Sequence, residues 1–212
     1  MSTDNSDNSK PSAWSEKELR LVNHVEVFQT KPTILKKVEQ RLITLQKALE
    51  QEITRISLDL PDGLDLVKNQ IARGENHKGF PYLSLDYPQN FSKIEMFTMR
   101  TLFWWGHYLG FSLILKGKKL SIYLEKLIEN HHKEPYNNIY VSLAPDPWEW
   151  EIIDENFLLA SHLKTESLQK IIQPLGYLKL IRVFPIKNQN FMALDWSKEG
   201  VQFWKDLVPL LI

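Results

Sequence analysis

Apolar residues recur at helical spacing in one long segment near the N-terminus. Between Thr33 and Ile56 they follow one another at steps of three and four positions, and polar residues fill the intervening positions. This pattern predicts an amphipathic helix of about residues 33–56, beginning after Pro32. Its apolar face could pack on a sheet or, alternatively, form the seam of a homodimer. The face comprises Leu35, Val38, Leu42, Leu45, Leu49, Ile53 and Ile56.

A shorter helix is predicted upstream, in WSEKELRLVNHVEVF. Ser15 followed by Glu18 has the spacing of a capping box, in which each side chain bonds the other residue's backbone N–H. The preceding residues, 1–13, are polar and contain neither the basic nor the apolar region of a signal peptide. We expect these residues to form a disordered tail.

The middle of the chain has a period of two, which is typical of strands. PYLSLDYP (81–88) is the first predicted strand, and a long alternating run begins at Ile94. A further run, LGFSLILKG, follows after Gly106 and His107, so the two runs should form a tight hairpin. Upstream, a short helix at about 65–72 and a polar loop at 73–79 (RGENHKG) are predicted.

The remainder alternates helices and strands. KKLSIYLEKLIENHH, the segment from Thr165 to Ile172 and SKEGVQFWKDLVPLLI are predicted helices. NNIYVSLAPDP and WEWEIID are predicted strands, and YLKLIRVFPI and NFMALDW a strand pair across KNQN. The fold class is therefore α+β: a mostly antiparallel sheet of about five to seven strands with helices packed on one face. We expect one domain over 14–212, in which 165–212 could form a strand-strand-helix subdomain.

Composition excludes several functions. Lys plus Arg equals 26 and Asp plus Glu equals 26, so no net charge attracts nucleic acid or anionic lipid. The apolar run 101–115 is closed by Arg100 and Lys116 and is shorter than the roughly 20 residues of a membrane span. The chain has no cysteine and no phosphate, nucleophile or metalloprotease motif. We expect a soluble, cytoplasmic protein with no metal and no cofactor.

The candidate chemistry lies around the aromatic stretch LFWWGHYLGF. Arg100 interrupts an apolar strand, and a buried guanidinium needs a carboxylate, which Asp86 could supply. One interpretation is a site for a small anion, with Arg100 as clamp, His107 or Asp86 for proton transfer, and Trp104 and Trp105 as ligand contacts. The other is a structural Arg–Asp pair that joins neighbouring strands, with His107 at a turn.

A second candidate surface lies in PWEWE. Trp148 and Trp150 would share one face of a half-exposed acidic strand and could form a contact surface for a partner protein. The sequence thus favours a binding or interaction domain without catalytic machinery, whose partner is an unknown small molecule or protein. The alternative is an enzyme that acts on a small anionic substrate through an Arg100, His107 and Asp86 pocket.

Overall fold

The computed structural model describes residues 13–55, 64, 66, 70–92, 94–164, 170 and 172–212. Residues 1–12 of the predicted tail, Ile56, and most of the helix predicted from Thr165 lie outside the described residues. The chain divides into two compact units, residues 1–36 and 37–212.

Two helices begin in the first unit. Helix α1 spans Glu16–Val22, and its capping box is confirmed: the N–H of Glu18 donates to Ser15 Oγ at 3.2 Å. The N–H of Ser15 donates to Glu18 Oε2 at 2.7 Å. Helix α2 spans Val25–Arg55 and continues into the second unit.

The prediction that α2 begins after Pro32 is wrong, since Pro32 lies inside the helix. A proline inside a helix removes one backbone hydrogen bond, and the remaining backbone hydrogen bonds of this long helix compensate for that loss. The predicted apolar face is confirmed, with Leu42, Leu45 and Leu49 completely buried. These three leucines lie in the second unit and belong to its buried core.

The described residues form a sheet of seven strands, all paired antiparallel, in the order β1-β2-β3-β4-β7-β5-β6. The predicted α+β class and antiparallel sheet are confirmed. The hairpin around Gly106 and His107 is also confirmed, because Trp104 pairs with Tyr108 across it. The strands are β1 Gln70–His77, β2 Phe80–Phe91, β3 Met96–Trp104, β4 Tyr108–Lys116, β5 Tyr140–Ser142, β6 Phe157–Leu159 and β7 Leu178–Pro185.

Three local predictions are wrong. Residues 70–77 form edge strand β1 instead of the end of a short helix and a polar loop, and only Lys78 and Gly79 make the turn to β2. Because β1 is largely exposed, its sequence shows no alternation of apolar residues. Its antiparallel pairing with β2 keeps it in the sheet. WEWEIID forms no strand, and Gln189–Ala193, which covers the end of KNQN and the start of NFMALDW, is a 3-10 helix.

Helices cover one face of the sheet. Helix α3 spans Leu120–Asn130 and helix α4 spans Trp196–Leu207, as predicted in outline. Gly200 of α4 sits where a Cβ atom would come within 2.4 Å of Leu45 Cδ1 and 3.0 Å of Phe111 Cε1, so α2, α4 and β4 pack closely there. Among the described residues, no helix combines the length and hydrophobicity needed to span a membrane.

The opposite face of the sheet is covered by the irregular segment 144–156, which we call the covering segment. Rings from this segment and the sheet form an apolar cluster that includes Leu102, Trp104, Tyr108, Trp150 and Ile181. Polar residues interrupt this cluster, and they define the candidate site.

Candidate functional site

A buried ion pair lies on the sheet face beneath the covering segment. Asp86 on β2 is directly opposite Arg100 on β3. Arg100 Nε donates to Asp86 Oδ1 and Nη2 donates to Oδ2, each at 2.8 Å, and Thr98 Oγ1 donates to Oδ1 at 3.0 Å. The Asp86 side chain is 2% exposed and that of Arg100 is 18% exposed. The structure thus contains the Arg–Asp pair between neighbouring strands, and Arg100 keeps partial access to solvent.

Aromatic rings surround the exposed side of the guanidinium. Arg100 Cζ lies 4.5 Å from the ring centroid of Trp148 and 5.7 Å from that of Trp150. A guanidinium has five N–H donors, and the pair with Asp86 uses two of them. Within the described residues, no acceptor contacts the other three. Arg100 is therefore held in position by Asp86 and Trp148 and retains hydrogen-bonding capacity.

A small pocket opens beside Arg100. Its volume is about 200 Å³. The walls combine one cation with rings and one aliphatic side chain, and they come from β1, β2, β3 and the covering segment: His77, Tyr82, Arg100, Leu102, Trp148 and Trp150. A dry cavity of about 150 Å³ accommodates benzene in a well-studied engineered case, so this pocket has the size for a single-ring ligand.

Lys179 of β7 lies between the sheet and the covering segment and binds the backbone of that segment. The residue is completely buried, and its Nζ donates to the carbonyl oxygens of Pro147, at 2.9 Å, and of Glu149. The Nζ also lies 3.3 Å from the ring centroid of Trp150. Burial and, next, the charge of Arg100 hold the pKa of Lys179 well below its usual value.

An ion-pair network ties the covering segment to the β1–β2 turn. Lys78 Nζ lies 3.0 Å from Glu149 Oε1 and 2.6 Å from Glu151 Oε2. Burial alone would raise the pKa of Glu149, but hydrogen bonds from the Glu151 N–H, Lys78 and the Trp150 N–H lower it overall. The rim near the pocket therefore carries two carboxylates and one ammonium group.

His77, rather than His107, is the histidine that lines the pocket. His107 stacks on Trp104, with ring centroids 3.7 Å apart and an interplanar angle of 11°, and meets the ring of Phe80 edge-on at 4.7 Å. The structure does not bring His107 among the residues that line the pocket beside Arg100 and Asp86. Burial is the main cause that lowers the pKa of His77.

The two tryptophans of the aromatic stretch also lie outside the pocket walls. Trp104 is 1% exposed, belongs to the apolar cluster, and donates its Nε1–H to the carbonyl oxygen of His77 at 3.3 Å. Trp105 is half-buried in the hairpin turn, and its backbone N–H donates to the Pro81 carbonyl oxygen at 3.0 Å. Trp104 therefore supports the pocket through His77.

The prediction that Trp148 and Trp150 project together from an exposed strand is wrong. Trp150 is 4% exposed and belongs to the apolar cluster, and Trp148 is half-buried against Arg100. The strand does not form because side chains take the backbone donors: Glu149 Oε1 accepts from the N–H groups of Trp150 and Glu151. Asp146 Oδ1 accepts from the N–H of Trp148 in the same way.

Sequence reasoning missed Lys179 and Tyr82 as parts of this region. Lys179 carries the signal that identified Arg100, namely a charged residue within an alternating apolar strand, LKLIRVF. The same strand holds Arg182, which faces the helices and bonds Asp206 at 2.8 Å. Tyr82 gave no signal, because an aromatic residue in a strand is ordinary core material.

Among the described residues, no group of three or more His, Asp or Glu side chains is placed to hold a metal ion. No family model, no curated protein and no solved structure matches this chain.

Proposed function

We propose that this protein is a binding module whose pocket takes a neutral, flat ligand of single-ring size that presents a carbonyl oxygen to Arg100. The observation that carries the proposal is Arg100 itself. Its position is fixed by two hydrogen bonds to Asp86, its face lies on Trp148, and three of its five donors have no acceptor within the described residues.

The charges around the pocket favour a neutral ligand over an anion. Asp86 already balances Arg100, and Lys78 is paired with two carboxylates, Glu149 and Glu151. Lys179 Nζ already donates to the carbonyl oxygens of Pro147 and Glu149. An incoming carboxylate would add negative charge to a region where positive charge is already matched, which costs free energy. A carbonyl oxygen can accept from Arg100 without that cost.

The pocket walls favour a flat ligand. Trp148, Trp150 and Tyr82 supply ring faces and edges, and Leu102 supplies an aliphatic surface. Binding sites of this kind are mainly apolar, with a few polar groups that orient the ligand. Benzamide combines one ring with one carbonyl group and is a suitable probe.

The test compares benzamide with benzoate and toluene, which have the same ring. NMR of the indole N–H signals would follow each titration, with the Trp148 signal assigned from a Trp148→Phe variant. We expect benzamide to shift the Trp148 signal and to bind more tightly than either comparison compound. If benzamide leaves the Trp148 signal unchanged at millimolar concentration, the proposed function is refuted.

Arg100→Lys is the matching variant, because lysine keeps the charge opposite Asp86 and removes the planar set of donors. We expect at least about tenfold weaker benzamide binding, the equivalent of one hydrogen bond of roughly 1.4 kcal/mol. Arg73→Lys is the control: Arg73 is an exposed arginine on β1 that pairs with Glu39 at 2.6 Å. That substitution should leave benzamide binding unchanged.

The second candidate is an enzyme that acts on a small anion, and the cavity beside Arg100 is the observation that favours it. In that case benzoate would bind more tightly than benzamide. The same titration therefore distinguishes the two functions.

A further inference from the structure

A second pocket lies at the end of the sheet where β3 begins and β4 ends, and we call it the lysine pocket. Its volume is about 250 Å³, and its walls include Glu95, Met96, Lys116, Lys118, Lys119 and Tyr123. These residues all belong to the second unit. The lysine pocket shares no lining residue with the pocket beside Arg100, so its ligand is independent of the function proposed above.

Three ammonium groups of the lysine pocket carry unmatched charge. Lys116, Lys118 and Lys119 are exposed, and none of their side chains forms a salt bridge or hydrogen bond within the described residues. By contrast, Lys126 Nζ on α3 lies 3.4 Å from Glu129 Oε2. Three unpaired cations on one pocket create a local positive potential that attracts an anion.

Glu95 is the acidic residue among the described walls of the lysine pocket. Its Oε1 accepts a hydrogen bond from the backbone N–H of Lys118 at 3.2 Å. The carboxylate also packs on Gly117, where an added Cβ atom would overlap it. The backbone, rather than a lysine ammonium group, therefore holds this carboxylate. With three positive charges and one negative charge, the pocket has two positive charges in excess.

Tyr123 of α3 adds a hydrogen-bond donor to the lysine pocket. The residue is 6% exposed, yet its hydroxyl forms no hydrogen bond within the described part of the chain. Burial and, next, the charge of Glu95 raise the pKa of Tyr123, so the hydroxyl keeps its proton at neutral pH. Buried polar groups normally have a hydrogen-bond partner, and a ligand in the pocket can supply the acceptor.

We propose that the lysine pocket binds a phosphate monoester. Such a group carries a charge of about −1.5 to −2 at pH 7 and has three strong acceptor oxygens. Its charge matches the two excess positive charges, and one of its oxygens can accept a hydrogen bond from the Tyr123 hydroxyl. Lysine is a common phosphate ligand because its compact ammonium group acts as a point charge.

Other anions match this charge less well. A carboxylate, a sulfate ester and a phosphodiester each carry one negative charge, so each would leave one excess positive charge unmatched. The phosphodiester is the charged group of nucleic acid, which this pocket therefore does not favour. Met96 and the ring of Tyr123 make the rest of the wall partly apolar, and they can contact the organic part of the ligand.

Isothermal titration calorimetry with phenyl phosphate and phenyl sulfate tests the proposal. The two compounds share the ring and the tetrahedral group and differ in charge. At pH 8 we expect phenyl phosphate to bind with one-to-one stoichiometry and about tenfold more tightly than phenyl sulfate. The second pKa of a phosphate monoester is about 6. At pH 5 the monoester therefore carries one negative charge, and its advantage over the sulfate should disappear.

Two substitutions should change the affinity in opposite directions. Tyr123→Phe removes only the hydroxyl and should weaken phenyl phosphate binding about tenfold. Glu95→Gln removes the negative charge, keeps an oxygen for the Lys118 N–H, and should tighten phenyl phosphate binding several-fold. A purely structural role of Glu95 would not produce tighter binding.

The lysines are tested together, with matched controls. Lys118→Gln combined with Lys119→Gln should weaken phenyl phosphate binding at least about tenfold and leave the melting temperature unchanged, because both side chains are exposed. Lys126→Gln removes a lysine of α3 outside the pocket walls and should leave binding unchanged. Arg100→Lys should also leave it unchanged, which separates this ligand from that of the other pocket.

Phosphatidic acid presents the same chemical group on a lipid. Sedimentation with phosphatidylcholine vesicles, with and without phosphatidic acid, distinguishes a soluble ligand from a lipid headgroup. A soluble ligand predicts that the protein sediments with neither kind of vesicle. Sedimentation with phosphatidic acid vesicles that phenyl phosphate prevents would assign the phosphate monoester to a lipid.

Three results would overturn the proposal. One is the absence of saturable phenyl phosphate binding at millimolar concentration. Another is binding of phenyl sulfate as tight as that of phenyl phosphate at pH 8. The third is unchanged phenyl phosphate binding in Tyr123→Phe or in the double lysine variant, which would place the ligand elsewhere on the protein.

Discussion

Replacing Arg100 by methionine should strongly destabilise the protein through the partner that it leaves behind. Asp86 is 2% exposed, and within the described part of the chain Thr98 is the one side-chain donor that remains to it without Arg100. Leaving one charge of a buried pair uncompensated typically costs about 3–5 kcal/mol. We expect a loss of that size in the free energy of unfolding, measured by urea denaturation at neutral pH.

The reverse substitution should cost less. In Asp86→Asn the remaining guanidinium is 18% exposed at the pocket and lies over Trp148, so it keeps contact with solvent and with a ring. The asparagine oxygen can still accept one of its hydrogen bonds. We expect a loss of about 1–3 kcal/mol.

The double variant tests whether the uncompensated charge of Asp86 causes the loss of stability in Arg100→Met. Asp86→Asn combined with Arg100→Met leaves no buried charge, so it should be more stable than Arg100→Met alone, although it carries one substitution more. A double variant that loses the sum of the two single losses would refute the argument. The control is Glu39→Gln with Arg73→Met, an exposed pair in which each loss should stay below about 1 kcal/mol.

Three further predictions concern packing and pH. Gly200→Ala should destabilise the protein by about 1–3 kcal/mol in urea denaturation, because its methyl group would overlap Leu45; a stable variant would show that α2 and α4 can move apart. Trp150→Ala should lower the free energy of unfolding by about 3–5 kcal/mol and Trp148→Ala by clearly less, and equal losses would contradict the burial difference. Burial and, next, the charge of Glu149 raise the pKa of Tyr108 far above 10.0, so the stability that the protonated Tyr108 contributes is present below pH 10.0 and is lost as the pH rises further. Tyr108→Phe should therefore weaken the fall in melting temperature at alkaline pH. An unchanged profile of melting temperature against pH would refute this prediction.

Local signals allowed much of this fold to be predicted. The capping box at Ser15 and Glu18, the apolar face of α2 and the hairpin at Gly106 depend on neighbours within a few positions, so the sequence alone specifies them. The pairing of Arg100 with Asp86 was also predictable, since a charged residue in an apolar strand needs a nearby counter-charge.

The wrong predictions concern segments whose structure depends on hydrogen bonds to the backbone that the local sequence pattern does not show. β1 is polar and lies at the sheet edge, so only its hydrogen bonds to β2 identify it as a strand. In WEWEIID apolar and acidic residues do alternate, but the Glu149 carboxylate accepts the hydrogen bonds of the Trp150 and Glu151 N–H groups, which a strand would donate to its neighbour. The pairing of β1 with β2 also sets the position of His77 in the pocket wall, whereas the sequence pattern placed His77 in a polar loop.

The anchors of the covering segment have a consequence for protein engineering. Tyr177, Lys179 and Tyr108 hold the segment through the backbone carbonyl oxygens of residues 144, 147, 149 and 150. Because every amino acid supplies a carbonyl group, these anchors do not depend on which side chains the segment carries. Position 148 can therefore be varied to reshape the pocket wall while these anchors stay in place, so the shape of the pocket can be changed separately from the attachment of the segment.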